Sequence, residues 1–454
     1  MKITVVGSGT AGLLSALVAK NKLPKAEVII IADPDTKVIG VGEGTVASFC
    51  HMLESNAGIN IDDLIAKVKP IVKYGLRLNF GKKDFHYAFE TVYDFQYDNK
   101  ELPQGFYFDG GVWGQSNHSM NMLNKTNAHA GRVTGAFHID NKLFLSYLTK
   151  LCNERGIDII TDKIESIQRE GDNITSLNEK YVSDYFIDCS GFKPLLSKAK
   201  FHSYDNILLN DKALFFRTKT TDTLKPYTQA TTMNCGWLWR IDHSTGFTGN
   251  GYVYSSKYIT DDEALTEVQN KLKIKIQDYR IIPFKTGRLE KHWIGNVITI
   301  GNSDGFIEPL ESTSIMAILK TSKDVFDIIR YGDKKGDFID RYNKFVNTYY
   351  DNTRDFVFLH FCFNDRLDTP YWKDCKKLAL DITRDSIAYK FIEYYLINGV
   401  QLKYLAQLCS DENAYQIEGY WNILRGLIPT DTDRKKWRAL YNIGMHNSEN
   451  GWLW

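Results

Sequence analysis

Apolar positions recur with two different periods along the chain, and the change of period separates predicted strands from predicted helices. The N-terminal segment reads strand, helix, strand, with the apolar runs Lys2–Val6 and Ala26–Ala32 on either side of a helical stretch, Leu13–Lys20. Short strand patterns continue through the middle of the chain, and helical spacing dominates after Thr321. This order predicts an α/β protein with mixed sheets and a helical, aromatic-rich C-terminal part.

The same pattern predicts individual elements. Further strands are expected at Ile157–Thr161, Tyr185–Asp188, Ala213–Lys219, Ala230–Asn234, Gly236–Ile241, Gly251–Tyr254 and Val297–Ile300, and a hairpin at Ile164–Ile174 with Ser176–Val182. Helices are expected at Asn141–Arg155, Thr321–Tyr331, Phe338–Cys362, Tyr371–Leu380, Thr383–Leu396 and Gln401–Leu408. Residues from about 85 to 135 lack clean periodicity and are expected to form sheet and loops over a ligand.

One predicted strand carries charged residues. From Val72 to Phe80 the chain alternates, with Lys73, Gly75 and Arg77 on the face opposite the apolar side chains. On that pattern alone, Lys73 and Arg77 belong to a solvent-exposed strand face.

The elements group into two predicted domains. Residues 1–320 are expected to form a nucleotide-binding module interrupted by sheet and substrate elements at about 70–135 and 205–290. Residues 321–454 are expected to form a helical subdomain that binds the substrate.

Composition narrows the classes of partner and compartment. The formal charge of +1 gives no reason to expect nucleic acid or an anionic membrane as a partner, and no apolar run is long enough for a membrane span. Met1-Lys2 leads directly into a strand, so no signal peptide is expected. Seven cysteines without a Cys-x-x-Cys pair indicate neither a disulfide framework nor a metal site. The expected compartment is the cytoplasm.

A glycine-rich turn follows the first predicted strand. It reads Gly7-Ser8-Gly9-Thr10-Ala11-Gly12, and the second strand ends at Asp33. Two glycines permit a tight turn and close approach to a pyrophosphate, the third permits helix–strand packing, and the later acid meets a ribose. This context predicts a dinucleotide site in a Rossmann-like module, and its N-terminal position favours FAD over a nicotinamide. A glycine-rich turn without a ligand is the alternative.

The segment Gly305–Met316 combines a tight loop with the start of a helix. Ser312, Thr313 and Ser314 are residue types that cap helices, and the N–H groups at a helix start favour a small anion or an electron-rich ring. Glu311 is an acid beside this anion-friendly position. Either it has a chemical task, or the segment is a helix cap with one charged neighbour.

Two further stretches suit a flavin and a flat substrate. Glycines recur in Gly40–Thr45, which makes a compliant loop that could lie against an isoalloxazine ring or be an ordinary surface loop. Trp237, Trp239 and Ile241 share one face of a predicted strand. Paired indoles of this kind pack a core or close off a cavity between a flavin and a substrate.

Several of these segments together resemble the flavin-dependent tryptophan halogenase family. The most specific are Glu308-Pro309-Leu310-Glu311-Ser312-Thr313 and the Trp-x-Trp-x-Ile stretch that begins at Trp237. Other similar segments follow in the family's order: Gly7–Gly12, Gly40–Thr45, Asp188–Phe192, Trp293–Gly301, His360, Asp365-Arg366 and Asp368–Trp372. The resemblance covers nearly the whole chain.

The resemblance implies an FAD-dependent halogenase with two sites. Reduced FAD from a separate flavin reductase reacts with O₂, and a halide ion attacks the resulting C4a-hydroperoxide to give hypohalous acid. Thr313 and Ser314 correspond to the family's halide site. The implied FAD-binding residues are Gly7, Ser8, Gly9, Thr10, Ala11, Gly12, Asp33, Lys37, Gly42, Glu43, Gly301 and Ile315.

The implied second site is the substrate pocket. The oxidant crosses an internal passage to Lys73 and Glu311, while Trp237 and Trp239 keep the substrate away from the flavin. Lys73 could hold hypohalous acid by a hydrogen bond or form a haloamine, and the sequence does not choose between them. Glu311 could orient the oxidant or accept the proton of the substituted ring.

Departures from the family leave the substrate open. Asp242 stands where the family has proline, and Val46-Ala47 lacks the proline common after the Gly-Thr pair. No clamp for an amino acid's ammonium and carboxylate is recognisable, so tryptophan, another indole or phenol, and a carrier-bound arene all stay open. Halide preference and a homo-oligomer are open too. The alternative functions are a flavoprotein monooxygenase and a non-catalytic flavin-binding protein.

Overall fold

The computed structural model describes residues 1–36, 40, 42–73, 75–88, 136–220, 224–225, 227–331, 336–378, 386–399, 415 and 417–441. The strands are β1 Lys2–Val6, β2 Glu27–Ala32, β3 Glu43–Gly44, β4 Ile71–Val72, β5 Gly75–Asn79, β6 Phe85–Ala88, β7 Phe137–Ile139, β8 Asp158–Thr161, β9 Ile167–Glu170, β10 Asn173–Leu177, β11 Tyr185–Asp188, β12 Phe201–Ser203, β13 Lys212–Lys219, β14 Thr228–Met233, β15 Gly236–Asp242, β16 Phe247–Tyr254, β17 Tyr279–Pro283, β18 Gly287–Leu289, β19 Trp293–Ile294, β20 Val297–Thr299 and β21 Gly305–Phe306. The helices are α1 Thr10–Lys22, α2 Phe49–Ala57, α3 Ile61–Val68, α4 Asn141–Glu154, α5 Asp261–Leu272, α6 Ser314–Tyr331, α7 Gly336–Cys362, α8 Pro370–Leu378, α9 Ile387–Asn398, α10 Ile417–Leu427 and α11 Asp431–Leu440.

A six-stranded sheet forms the nucleotide-binding part, in the order β19-β20-β11-β1-β2-β8. β1 lies between β11 and β2 and runs parallel to both, with Val5 opposite Ile187 and Ile30. The strand at Tyr185–Asp188 therefore returns the chain to this sheet. A parallel sheet with a helix directly after its first strand is the predicted Rossmann-like arrangement.

The helix after the first strand is buried along most of its length. The α1 residues from Gly12 to Ala19 are buried, and the Ser15 hydroxyl lies 3.0 Å from the Ser322 hydroxyl of α6. The small residues of α1 allow this close approach between helices. As a result, the Gly305–Met316 loop, which leads into α6, is held near the glycine-rich turn.

A seven-stranded sheet contains the inserted segments, in the order β17-β13-β16-β15-β14-β5-β6. β5 comes from early in the chain and pairs in parallel with β14, so the two predicted insertions meet in one sheet. Trp237, Trp239 and Ile241 of β15 belong to the main core cluster, whereas Leu238 belongs to another. This confirms that the three side chains share a face.

The predicted single strand from Val72 to Phe80 is wrong. β4 pairs with β7 in a three-stranded sheet, whereas β5 joins the seven-stranded sheet. Lys73 lies at the break between them, and its N–H donates to the Ala136 carbonyl at 2.9 Å. The alternating pattern continues across the break, which explains the error.

Helices make up most of the chain after Thr313. One hydrophobic cluster runs from Ile3 to Trp437 and includes both the sheets and these helices. Trp372 of α8 joins the two parts, because its Nε1 donates to the Met233 carbonyl at the end of β14 at 2.8 Å. The domain boundaries near residue 320 stay a prediction.

Several boundaries differ from the predicted ones. α6 begins at Ser314, before the predicted Thr321, and α9 begins at Ile387, after the predicted Thr383. The hairpin turns earlier than predicted, because β10 begins at Asn173, inside the predicted first segment Ile164–Ile174. The helices α10 and α11 were not predicted. Gln401–Leu408 and residues 89–135 lie outside the described residues.

Within the described residues, no helix combines the length and apolar character that a membrane span requires. The six cysteines described are free thiols, and all of them are buried.

Candidate active site

The glycine-rich turn has a shape that fits a pyrophosphate. Gly7 has a φ of +112°, and a Cβ there would lie 2.3 Å from the Cys189 carbonyl oxygen. A Cβ on Gly12 would lie 1.8 Å from the Gly7 carbonyl oxygen. A Cβ on Gly9 would meet no heavy atom within 4 Å. Packing therefore requires two of the glycines, while Gly9 faces space at the N-terminus of α1, where a phosphate is favoured.

Other predicted FAD residues lie in this turn or close to it. Asp33 follows β2, and its Oδ1 accepts from the Asp35 N–H at 2.8 Å. Ser8, Thr10 and Ala11 are half-buried at the start of α1. Gly301, with a φ of +78°, packs so closely that an added Cβ would lie 2.6 Å from Ala11 Cβ.

For two predicted FAD residues, the structure shows no side chain that could contact FAD. The Ile315 side chain lies in the hydrophobic core, so a contact with FAD from this residue would have to come from its backbone. Lys37 lies outside the described residues.

The loop Gly40–Thr45 is held by residues of the seven-stranded sheet. Gly42 has a φ of +86°, and a Cβ there would lie 2.4 Å from His243 Nε2. The Arg217 guanidinium donates to the Gly40 carbonyl at 2.9 Å. Glu43 accepts from the Asn141 amide at 2.9 Å, and burial raises the pKa of Glu43 to about 6.

A small pocket with a cavity volume of about 20 Å³ lies at the start of α6. Thr313 and Ser314 line it from the helix start, and Tyr349 and Tyr350 line it from α7. Ser312 directly before them has a left-handed backbone, with a φ of 58°. The first N–H groups of a helix have no partner within the helix, so this end of the pocket suits an anion.

Lys73 is fully buried and contacts the residue that precedes Thr313 and Ser314 of this pocket. Its Nζ donates to Ser312 Oγ at 2.9 Å and to the Thr45 carbonyl at 3.0 Å. Burial lowers the pKa of Lys73 to about 7, and the nearby Glu311 carboxylate opposes that shift. Gly44 completes the enclosure, since a Cβ there would lie 2.5 Å from Ser312 Oγ. The expectation of a solvent-exposed Lys73 is therefore wrong.

Glu311 faces a histidine from a distant helix. His360 Nε2 of α7 lies 2.8 Å from Glu311 Oε1, and both side chains are buried. The two groups are not aligned as a hydrogen bond. The other ring nitrogen, Nδ1, lies 3.0 Å from the Phe356 carbonyl oxygen, which can only accept, so Nδ1 carries a hydrogen. His360 Nε2 therefore faces Glu311 Oε1 within ion-pair distance.

Aromatic rings surround this pair. Phe80 and Phe356 contact the His360 ring edge-to-face, at 6.3 and 5.4 Å between ring centroids. Tyr415 stacks on Phe356 at 3.6 Å. Flat rings around a buried acid suit a flat aromatic substrate.

The two tryptophans of β15 have different partners. Trp237 Nε1 donates to Glu308 Oε2 at 2.7 Å, and Trp239 stacks on Phe215 at 5.9 Å. Asp242, which stands where proline was expected, is buried and accepts from Thr248 Oγ1 at 2.7 Å. A local network of hydrogen bonds thus replaces the proline at this strand end.

Three residues near the site received no specific role from the sequence. Ser312 contacts Lys73, His360 contacts Glu311, and Glu308 holds Trp237. The Glu-Pro-Leu-Glu-Ser-Thr segment signalled that its region matters but did not indicate these contacts. Each contact joins residues that are far apart in sequence, which periodicity cannot reveal.

Comparison with known proteins gives a family match. A sequence profile of the tryptophan halogenase family matches residues 2–394. The tryptophan 7-halogenase RebH of Lentzea aerocolonigenes is 30% identical over 427 residues, which cover 84% of this chain and 79% of RebH.

Solved structures give the same result for the fold. MibH, a lanthipeptide tryptophan 5-halogenase, is 27% identical and superposes with a TM-score of 0.77, covering 97% of this chain and 89% of MibH. BrvH, a flavin-dependent halogenase from Brevundimonas sp. BAL3, has a TM-score of 0.77 at 24% identity, covering 94% of this chain and 89% of BrvH. At that identity, the likeness to BrvH supports the fold alone.

Proposed function

The chain belongs to the tryptophan halogenase family, and from that premise we propose that it makes hypohalous acid at a flavin site and delivers it to Lys73 and Glu311. There the oxidant halogenates an aromatic substrate by electrophilic substitution. The protein is a halogenase enzyme, and a flavin is its proposed cofactor. The two-site mechanism and the roles of individual residues are the proposal.

The observation that carries this proposal is the buried contact between Lys73 and Ser312. Ser312 Oγ lies 2.9 Å from Lys73 Nζ, and the next two residues along the chain, Thr313 and Ser314, line the pocket at the helix start. The proposed catalytic amine thus contacts the same short loop that carries the proposed anion site. A buried lysine whose pKa lies near 7 is otherwise costly to the fold, which favours a chemical role.

The flavin site belongs to the first part of the chain. The turn at Gly7–Gly12 would hold the pyrophosphate of FAD, Asp33 its ribose, and Gly42 and Glu43 would lie against the ring system. When bound in its reduced form, FAD supplies the electrons that activate O₂ towards a halide ion. The N–H groups at Thr313 and Ser314 would bind that halide ion.

Lys73 would control the oxidant at the substrate. Hypohalous acid is electrophilic but unselective, so it must be held beside one ring carbon. An ammonium group at Lys73 would polarise its oxygen by a hydrogen bond, whereas a neutral amine would form a haloamine. A pKa of about 7 makes both forms accessible near neutral pH, so both routes stay within the proposal.

Glu311 would take up the proton that the substituted ring releases. Its Oε1 lies 2.8 Å from His360 Nε2. A histidine at this distance can stabilise the carboxylate when charged and orient the protonated acid when neutral.

The substrate is proposed to be an indole or phenol, free or attached to a carrier, and a separate flavin reductase is the proposed partner. Residues 1–320 would bind FAD, and residues 321–454 would cover the substrate. The stacked rings of Phe356 and Tyr415 beside Glu311 support an aromatic substrate class.

The proposal is tested by an assay with FAD, a flavin reductase, NADH and O₂, offering a panel of indoles and phenols. Chloride, bromide and iodide are supplied separately, and products are identified by mass spectrometry. Wild type should add halogen to at least one arene, and Lys73→Ala and Glu311→Gln should each lower that activity by about a hundredfold or more. Both variants should still bind FAD.

Controls separate enzymatic from free halogenation. Catalase and a hypohalite scavenger remove products that form in solution from leaked peroxide. Lys67→Ala, at an exposed site on α3, serves as the matched lysine control. Oxygenated product without halogen would move the chain to the monooxygenases. Equal halogenation by wild type and Lys73→Ala would remove Lys73 from the mechanism.

A further inference from the structure

Glu308 is a buried acid that the proposed mechanism does not use. Its side chain is 1% exposed and lies three residues before Glu311, immediately after Ile307 of the pocket lining. Burial raises the pKa of Glu308 to about 7. Burying a carboxyl group costs free energy unless the group is hydrogen-bonded.

The contacts of Glu308 join the catalytic loop to the seven-stranded sheet. Its Oε2 accepts from Trp237 Nε1 of β15 at 2.7 Å and from Asn210 Nδ2, just before β13, at 2.8 Å. Trp237 is itself 1% exposed. The Glu308 backbone is restrained as well, because Pro309 follows it and its carbonyl accepts from the Leu310 N–H at 2.9 Å.

We propose that Glu308 is a positioning residue that fixes the indole of Trp237 against the Gly305–Met316 loop and so keeps the passage between the flavin and substrate sites closed to solvent and to the substrate. This inference rests on the proposed function, in which Trp237 forms part of the wall of that passage. An indole ring has a single N–H donor, so one acceptor sets its rotation about the side-chain bonds. Glu308 supplies that acceptor from the segment that also carries Glu311.

The surroundings favour a specific orientation over general packing. Glu308 Oε1 and Asn210 Oδ1 are both buried without a hydrogen-bond partner among the described residues. Glu308 Oε2 accepts from both the Trp237 indole and the Asn210 amide, so the oxygen that orients the indole is itself held in place. An apolar side chain of similar size would fill the same space without unpaired polar atoms. It would, however, no longer fix the orientation of the Trp237 indole.

The test compares Glu308→Leu, which cannot accept a hydrogen bond, with Glu308→Gln, which can. The measured quantity is the ratio of oxidant trapped in solution by a soluble 1,3-diketone to halogenated arene formed by the holoenzyme. Oxygenated arene is measured in the same samples. Glu308→Leu should raise the trapped fraction about threefold to tenfold, the effect expected from losing one hydrogen bond, while Glu308→Gln stays close to wild type.

A double-mutant cycle with Trp237→Phe shows whether Glu308 acts through the indole. Trp237→Phe removes the N–H donor and should raise the trapped fraction by a similar factor, and adding Glu308→Leu should then change little. Additive effects, or an unchanged ratio in a folded, FAD-binding Glu308→Leu variant, would overturn the inference. If Glu308→Leu does not fold, Trp237→Phe decides, since an unchanged ratio there overturns the inference by itself.

Failure of the inference differs from failure of the proposed function. If wild type forms neither halogenated arene nor trapped oxidant, the proposed function is wrong. If wild type halogenates normally but both substitutions leave the ratio unchanged, only the role of Glu308 is wrong.

Discussion

Lys73 differs from an ordinary lysine because its amine is held inside the protein by a serine hydroxyl and a backbone carbonyl. Burial costs the charged form more than the neutral form, and the nearby Glu311 carboxylate recovers only part of that cost. The free energy of unfolding should therefore depend on pH through this one residue.

The first prediction concerns Lys73→Met. In the unfolded chain Lys73 keeps its proton up to a pKa of about 10.5, whereas in the folded protein the pKa is about 7. Between these values the unfolded state binds more protons, so raising the pH favours the folded state. The difference in unfolding free energy, wild type minus Lys73→Met, should rise with pH across this window by at most about 1.4 kcal/mol per pH unit.

Denaturant unfolding at a series of pH values from 6 to 10 measures this difference. Below the folded pKa the difference should level off, because both states then hold the proton. The exposed Lys67→Met variant should show no such slope. A flat difference for Lys73→Met over the whole range would mean that Lys73 remains charged in the folded protein.

The second prediction concerns His360, which acts through Glu311. His360→Phe keeps a ring beside Phe80 and Phe356 but removes the nitrogen 2.8 Å from Glu311 Oε1. The rate constant kcat for halogenation should fall about tenfold to a hundredfold, because Glu311 loses the group that orients it, with little change in KM.

Steady-state kinetics with an arene that the wild type halogenates measures this effect. FAD binding serves as the control for folding. In the Glu311→Gln background, His360→Phe should lower kcat little further, because the carboxylate that His360 orients is already absent. An equally large loss in that background would show that His360 acts independently of Glu311.

At the scale of elements, the turn between β1 and α1 separates glycines needed for packing from a glycine that faces the cofactor. A Cβ added to Gly7 or Gly12 would clash with backbone atoms, whereas a Cβ added to Gly9 would meet no heavy atom within 4 Å. The same fingerprint residues therefore serve two purposes, stability and binding.

The third prediction follows from this difference. Gly9→Ala should leave the apo protein as stable as wild type but weaken FAD binding by about tenfold or more, because its methyl group enters the pyrophosphate position. Gly12→Ala should instead destabilise the fold by about 3 kcal/mol or more, because its Cβ would lie 1.8 Å from the Gly7 carbonyl oxygen.

Flavin fluorescence titration and denaturant unfolding measure the two quantities in parallel. The variants are controls for each other, since they introduce the same methyl group into the same turn. Loss of stability in Gly9→Ala, with FAD affinity retained, would contradict the assignment of this turn to the pyrophosphate.

At the scale of the whole molecule, the helices after Thr313 and the two large sheets share one hydrophobic core. Trp372 is buried at their junction, stacks on Phe361, and donates to the Met233 carbonyl. The two predicted domains are therefore expected to unfold together.

The fourth prediction concerns Trp372→Ala. Removing this indole should destabilise the protein by about 3–5 kcal/mol through cavity formation and loss of its hydrogen bond. Hydrogen exchange followed by mass spectrometry should show faster exchange both in peptides from residues 2–32 and in peptides from 417–441. Faster exchange in the C-terminal peptides alone would indicate two independently stable domains.

Local patterns in the sequence determined the strand and helix types of the N-terminal module and most of the strands in the middle of the chain. The fingerprint turn and the shared face of Trp237 and Trp239 depend on neighbours in sequence, so a motif or a period predicts them. The family resemblance supplied Lys73 and Glu311 as candidates, and their catalytic roles stay predictions.

Only the tertiary structure decided how these candidates are held. The alternating pattern through Lys73 indicated an exposed strand face, but the chain changes sheets there and buries the amine against Ser312. His360 reaches Glu311 from α7, and Glu308 reaches Trp237 across the core. Burial and contacts between distant segments arise when separate elements pack together, and no local period records which side chains will meet.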